Sequence, residues 1–307
     1  MSKIVVVGSS NTDLIIKLDR IPRPGETVLG GEFSTAAGGK GANQAVAAAR
    51  AGGGVTFIAR VGCDSMGEQA IAGFVRDGIN VDYIVRDKAK PSGVALIFVA
   101  QDGENSIAVA SGANERLSPT DVKRAAKVIC GARVLVLQLE TPLNTVRMAA
   151  ELAAKAGVKV LLNPAPARKL PDTLLKQVDL LTPNEGEAEM LTGIRVRDRN
   201  AAARAAKALL ARGVENVIIT MGSRGAFVAG REVRQMIPAY RVKAVDTTAG
   251  GDVFNGALAV ALAEGRSLLE AARFATAAAA ISVTRLGAQT SAPTRLEINK
   301  LFPASAK

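Results

Sequence analysis

The chain runs to 307 residues, 48% hydrophobic but only 3% aromatic, with 39 Lys and Arg against 28 Asp and Glu and no histidine. That suffices for a full core in one large domain or two smaller ones, filled by Ala, Val and Leu, and no apolar run nears the roughly 18 residues that span a membrane. Without histidine, Ser-His-Asp and Cys-His nucleophile pairs and His-ligated zinc are excluded, while the net charge of +11 raises nucleic acid or an anionic small molecule as a partner.

The opening "KIVVVGSSNTD" predicts a buried first strand over Ile4–Val7, ended by a glycine turn. It is too short for a secretory signal and no small-residue cleavage site follows, so a soluble, cytoplasmic protein is expected. Asn11 and Asp13, just past this strand, either line a sugar-like ligand or cap a turn. Residues 13–38 are strand-like but irregular, with Pro22, Pro24 and several glycines. "AAGGKGANQ" (36–44) is a glycine-rich turn opening an alanine-rich helix over 41–51, with Lys40 and Asn43 in reach of a polar ligand. A strand over 55–62 and a helix over 66–79 follow. Cys63 and Cys130 lie far apart without a CxxC, so buried free thiols are expected rather than a disulfide or a metal site. Over 93–111 two apolar runs flank "QDGEN", whose Asp-Gly signals a hairpin.

From residue 118 the rhythm is regular: helix 118–129, strand 132–139, helix 142–157, strand 158–164, then strands 178–184 and 216–222 with helices between. Continuous Val, Ile and Leu strands alternating with helices imply a parallel sheet covered on both faces. The densest basic patch, 195–207, is interleaved with Asp198 and alanines and reads as a solvated helix face; with few aromatic rings, no nucleic-acid partner is expected. "AFVAG" (226–230) and "EVRQMIPAY" (232–240) suggest a late antiparallel portion, and two alanine-rich helices near 251–264 and 267–285 close the chain. No linker or repeat interrupts it. The expected fold is a single α/β domain over 1–307, a three-layer, doubly wound, mainly parallel sheet. Segments 13–38 and 93–111 are expected to pair as a small β-sheet beside the strand ends.

Polar residues gather at those ends. "VDTTAGGDVFNG" (245–256) turns on glycines into a helix, whose free N–H groups and positive dipole end bind anions. Asp252 stands either at the mouth of a phosphate loop or merely in an acidic first turn. Glu140 ends the apolar "VLVLQLE", and a carboxylate at the carboxyl end of a parallel strand lies where open α/β sheets bind ligands. "TPNEGEAEML" puts Asn184 and Glu187 at another strand end, where they read singly as an N-cap with an acidic first turn. "TMGSRGAF" (220–227) is a glycine turn with two hydroxyls. Walker A is absent, and "GSSNTD" lacks the third glycine of a dinucleotide fingerprint.

Taken together, these residues resemble the PfkB family of carbohydrate kinases over almost the whole chain. "GGKGANQAVAAAR" is similar to its N-terminal signature and "DTTAGGDVFNGAL" to its C-terminal one. "LQLETPL", "NPAPAR", "TPNEGEAEMLTGI", "ITMGSRG" and "VTRLGAQTS" resemble its ribose-phosphorylating branch. The resemblance implies ATP-dependent phosphorylation of the 5-hydroxyl of D-ribose, with Asp252 as general base and Ala249, Gly250 and Gly251 as the anion hole. It implies ribose contacts at Asn11, Asp13, Gly39, Lys40, Gly41, Asn43 and Glu140. Nucleotide contacts are implied at Asn184, Thr220, Gly222, Ser223, Gly225, Gly251 and Thr276. Mg2+ would come with ATP, tied indirectly to Glu187. K+ would lie among Asp246, Thr248, Ser282, Arg285, Gly287 and Ser291, several through carbonyls. The family's small lid sheet, which also builds a homodimer, matches the two irregular segments.

The chain departs from the family pattern in places. Many relatives read Ala-Ala-Gly-Asp-Thr where Ala249–Val253 reads Ala-Gly-Gly-Asp-Val, and Thr276 stands where some carry histidine near the adenine. The helix dipole is expected to favour ionised Asp252 and make it a weak base, which a loose transition state tolerates. The alternatives are a kinase for 2-deoxyribose, fructose or a nucleoside, or a non-catalytic sugar or nucleotide sensor.

Overall fold

The computed structural model describes residues 3–102 and 104–302. Gly103, of the expected Asp-Gly turn, and both ends of the expected domain lie outside them. The first part of the chain forms β1 (Lys3–Val7), β2 (Asn11–Leu18), β3 (Glu32–Gly38), α1 (Lys40–Arg50), β4 (Gly54–Gly62), α2 (Ser65–Arg76), β5 (Ile84–Asp87), β6 (Gly93–Ala100) and β7 (Asn105–Ala110). The middle forms α3 (Pro119–Arg124), α4 (Ala126–Cys130), β8 (Val134–Leu137), α5 (Leu143–Lys155), β9 (Lys159–Leu162), α6 (Asp172–Leu175), β10 (Leu180–Leu181), α7 (Glu185–Thr192), α8 (Arg199–Ala211) and β11 (Asn216–Thr220). The last part forms β12 (Ala226–Ala229), β13 (Arg234–Ile237), α9 (Gly250–Ala263), α10 (Leu268–Ser282) and α11 (Arg295–Leu301).

Nine strands form one sheet in the order β13-β12-β11-β10-β9-β8-β1-β4-β5. All neighbours are parallel except β11–β12 and β12–β13, which are antiparallel, as expected for the late portion. The period-2 alternation of strand side chains sorts the core into two clusters. Ile4, Val6, Val134 and Val136 pack with α1, α9 and α10 on one face. Val5, Val7, Leu135 and Leu137 pack with α3–α5 and α8 on the other. This is the expected three-layer arrangement. A second sheet, in the order β3-β2-β6-β7, joins the two irregular segments.

The alanine-rich helices matter for the site because they let backbones approach. At Gly256 in α9 a Cβ would lie 2.7 Å from both the Ala47 Cβ and the Gln44 carbonyl of α1. Only glycine permits that crossing, and it brings the start of α9 against the start of α1.

Several expectations need correction. The helix over 118–129 divides at Ala125 (φ −93°, ψ 9°), although neither Gly nor Pro stands there. The strand over 178–184 shortens to Leu180–Leu181, with Asn184 bridging singly to Thr220. Edge strand β5 and helix α11 lacked a clear periodic signal and were not anticipated. Both cysteines are free, as expected, but exposed rather than buried.

Candidate active site

Polar residues from five elements meet at the carboxyl edge of the large sheet, around the N-terminus of α9. Asp252 is buried there, 6% exposed. Its Oδ2 accepts from Asn43 Nδ2 at 3.1 Å and its Oδ1 from Gln44 Nε2 at 2.9 Å. Burial pushes the Asp252 carboxyl up from its ordinary range, while Lys40 and the Gln44 and Asn43 amides pull it back and Glu140 adds to the rise. The carboxyl thus stands above its ordinary range, against the expectation of a weak base, because desolvation outweighs the Lys40 charge and the two amides. Lys40 is held above its ordinary value because Asp252, Glu140 and Glu187 together outweigh burial.

The turn before α9 is built for donors. Ala249 adopts φ 56° and ψ 10°, the one non-glycine residue at positive φ among those described. Such a conformation costs about 1–3 kcal/mol and marks sites where neighbouring structure imposes it. It turns successive N–H groups outward at a helix start, the geometry of an anion-binding nest. The N–H groups of Ala249, Gly251 and Asp252 have no acceptor among the described residues, while that of Gly250 is held by the Thr247 carbonyl at 3.2 Å. The free donors are thus not quite the expected set: Asp252 joins, and Gly250 is already engaged.

Beside this turn lies a cluster of polar residues at the junction of the two sheets. Glu140 accepts from the Ser9 hydroxyl at 2.5 Å and from the Lys40 N–H at 3.0 Å. Asp13 on β2 is raised to about 6 by burial and by the neighbouring charge of Glu140. Gly39 has φ 88°, and a Cβ there would sit 2.7 Å from the Asn11 nitrogen; one on Gly41 would sit 2.5 Å from the Ser9 nitrogen. These two glycines let the start of α1 lie against the β1–β2 turn. The Oδ1 of Asn43 is buried without a donor among the described residues, as an acceptor waiting for a ligand hydroxyl would be. A cavity of about 370 Å³ opens beside Asn11, lined by Thr12, Thr35, Arg50 and Gln289.

At the next strand ends, Asn184 and Glu187 form a complete capping box for α7. The Asn184 N–H donates to Glu187 Oε2 at 2.8 Å and the Glu187 N–H to Asn184 Oδ1 at 2.8 Å. The plain N-cap reading is therefore correct for the pair, yet Glu187 is buried and pushed up by desolvation, with Asp252 adding to the rise and Lys40 opposing it. Thr220 ends β11, and Gly222–Arg224 makes a single 3-10 turn carrying Ser223. Gly225 closes it at φ 96°, where a Cβ would strike the Ile237 carbonyl at 2.0 Å. Thr276 lies buried in α10 with its hydroxyl turned back to the Ala272 carbonyl at 2.8 Å.

Among the suggested cation residues, Asp246, Thr248 and Gly287 come together. Asp246 receives the Thr248 N–H at 2.8 Å and the Gly287 N–H at 2.9 Å, so it braces the 245–249 turn against the 283–291 loop. Burial pushes Asp246 up, but these bonds outweigh it and hold the carboxyl below its ordinary range. The fully buried Ser282 and Ser291 hydroxyls donate to Ala279 and Ala288 carbonyls, and the Arg285 guanidinium pairs with Glu297.

Four positions that the sequence did not single out join the candidate site. Asn114 donates to the Asn11 side chain at 2.8 Å and to the Ser10 carbonyl at 3.1 Å, fixing Asn11. Gln44, Gln138 and Asn163 lie behind Asp252. Gln138 and Asn163 each follow an apolar strand, where a polar residue at the strand end was the available signal, whereas Gln44 lies within α1 and Asn114 in a 3-10 turn, where local spacing marks neither.

Comparison with known proteins agrees with this geometry. A family profile described as pfkB family carbohydrate kinase matches residues 1–295. A ribokinase of Haemophilus influenzae is 48% identical over 294 residues, covering 96% of each chain. A deoxyribokinase of Salmonella typhi is 41% identical, covering 97% of each. The solved structure of Arabidopsis thaliana ribokinase complexed with ribose and ATP is 34% identical, with a TM-score of 0.91 over 99% of this chain and all of that one.

Proposed function

The chain belongs to the pfkB family of carbohydrate kinases, and from that premise we propose that it transfers the γ-phosphoryl group of ATP to the 5-hydroxyl of D-ribose. The observation that carries the reading is the meeting of a buried carboxylate, Asp252, with free backbone donors at the start of α9. Phosphoryl transfer depends on positioning and charge stabilisation more than on covalent help.

Asp252 accepts the proton of the ribose hydroxyl. Its raised affinity for protons makes it a better base than an exposed carboxylate, while Lys40, Asn43 and Gln44 keep it ionised enough to act. The Ala249 and Gly251 N–H groups and the helix dipole hold the charge developing on the transferred group. Asn11, Asp13, Lys40, Asn43 and Glu140 line the sugar pocket, and the ends of β10 and β11 face the nucleotide. Mg2+ bound with ATP would neutralise its phosphates, with Glu187 tied to it indirectly. Residues around Asp246 would hold K+, which adds positive field beside the anion turn.

The small sheet acts as the lid of this one kinase unit. Phe33, Leu14, Ile16, Leu96 and Phe98 share one of its faces by register, with Phe33 65% and Leu96 46% exposed, which supports pairing with a second copy. A cytoplasmic setting follows from the ATP requirement. The deoxyribokinase relative supports a second reading, 2-deoxyribose as the acceptor.

The test is ADP release with ATP, Mg2+ and a panel of sugars. Turnover on D-ribose above 2-deoxyribose, fructose and nucleosides is expected, and preference for another sugar would reassign the pocket. Asp252→Asn should lower kcat by about 10²–10⁴ while ATP still binds. K+ should raise the rate at constant ionic strength, and equal rates in sodium salts would remove the cation from the scheme.

A further inference from the structure

Behind Asp252 runs a relay of buried amides, of which the phosphoryl-transfer reading above uses only the Gln44 donor. Gln138, just past β8, donates from Nε2 to Gln44 Oε1 at 2.7 Å. This leaves the Gln44 amino group facing the other way, where it donates to Asn163 Oδ1 at 3.0 Å and to Asp252 Oδ1 at 2.9 Å. Asn163 donates to the Thr182 carbonyl at 3.1 Å. The Thr182 hydroxyl donates to Asn255 Oδ1 at 2.6 Å, and Asn255 Nδ2 donates to the Gly251 carbonyl at 2.8 Å.

Two features make the relay directional. An amide can present either its oxygen or its nitrogen, and the neighbours decide which. Here the Thr182 and Gly251 carbonyls are backbone acceptors that cannot turn, so they fix Asn163 and Asn255 and, through Asn163, Gln44. The relay also has a structural cost. Gln138 Oε1 is buried without a donor among the described residues, and Gly8 must lack a side chain, since a Cβ there would sit 2.1 Å from that oxygen. A well-packed apolar core would need neither feature.

We propose that Gln44, clamped by Gln138 and Asn163, is a positioning residue for phosphoryl transfer: it holds the Asp252 carboxylate by Oδ1, while Oδ2, which accepts the Asn43 amide at 3.1 Å, keeps its second lone pair for the substrate proton. The same relay, through Thr182 and Asn255, couples the carboxylate to the Gly251 carbonyl in the anion turn, so base and anion site keep one register. This rests on the reading of Asp252 as the base. The charged groups acting on Asp252 are Lys40 from α1, Glu140 after β8 and Glu187 from α7, and none belongs to the relay.

The test is the pH dependence of kcat for the whole protein and two near-isosteric variants, with folding checked by thermal melting. Gln44→Met removes one donor to the carboxylate. Its acid limb should move to higher pH by about one unit and kcat should fall roughly tenfold, with KM for ATP little changed. Gln138→Met keeps Gln44 but frees its far end, and should move the limb the same way by less. A folded Gln44→Met protein with the parent's acid limb overturns the proposal. Should that variant not fold, Gln138→Met decides alone, and an unmoved limb again overturns it. Asp252→Asn separates the two readings. If it turns over normally, the base assignment fails and the proposal with it; if it is inactive while both Met variants match the parent, only the relay fails.

Discussion

Asp13→Asn should make the protein more stable and a poorer enzyme. Asp13 lies at the junction of the two sheets, beside Glu140, with its carboxylate against Gly38, where a Cβ would come within 2.3 Å of Oδ1. Its folded-state value is about 6 against an ordinary 3.8. A carboxyl raised on folding binds protons more tightly in the folded chain, so stability falls as pH rises from about 4 to about 6, and the penalty is complete above that. A rise of about two units at about 1.4 kcal/mol each gives about 2–3 kcal/mol near pH 8. Asparagine removes the ionisation and hence the penalty. Urea denaturation of both proteins at pH 4 and pH 8 isolates it, because groups remote from residue 13 titrate alike in the pair. The stability difference should shift by about 2–3 kcal/mol in favour of asparagine between the two pH values, while KM for ribose rises. A difference that stays the same at both pH values would refute the reasoning.

Two further outcomes are expected. Gly256→Ala forces a methyl group against Ala47 and the Gln44 carbonyl, so it should cost about 1–3 kcal/mol by overpacking and lower kcat by displacing Asp252; thermal melting and steady-state kinetics check both. Asp87 is held down to about 2, because bonds from Ala89, Arg60, Lys90 and Arg116 outweigh the rise from burial. Its depressed value adds stability that is complete above the ordinary carboxylate range and is lost as pH falls from about 4 to about 2, so Asp87→Asn should flatten the acid-unfolding curve in that window.

The parts of this molecule legible in the sequence are those governed by near neighbours along the chain. The Val and Leu runs of β1, β8, β9 and β11 alternate faces because successive strand side chains point opposite ways, and both faces are covered. Asn184 and Glu187 cap α7 because their spacing lets each reach the other's backbone N–H. The glycine turns before α1 and α9 were visible for the same local reason.

What tertiary structure alone decided are the relations between distant segments. Gln44, Gln138, Asn163 and Asp252 come together only because Gly256 lets α9 cross α1 at backbone contact and the parallel strands end at one edge. The break at Ala125, the exposure of both cysteines and the edge strand β5 depend on what packs beside them. The charge state of Asp252 is the sharpest case. Its place in the first turn of a helix points to a lowered value, but burial beneath α1 raises it, since the loss of water around the carboxylate outweighs the Lys40 charge and the Gln44 and Asn43 amides. Sequence specifies which groups stand at a helix end, whereas the amount of water left around them is set by the packing of the whole fold.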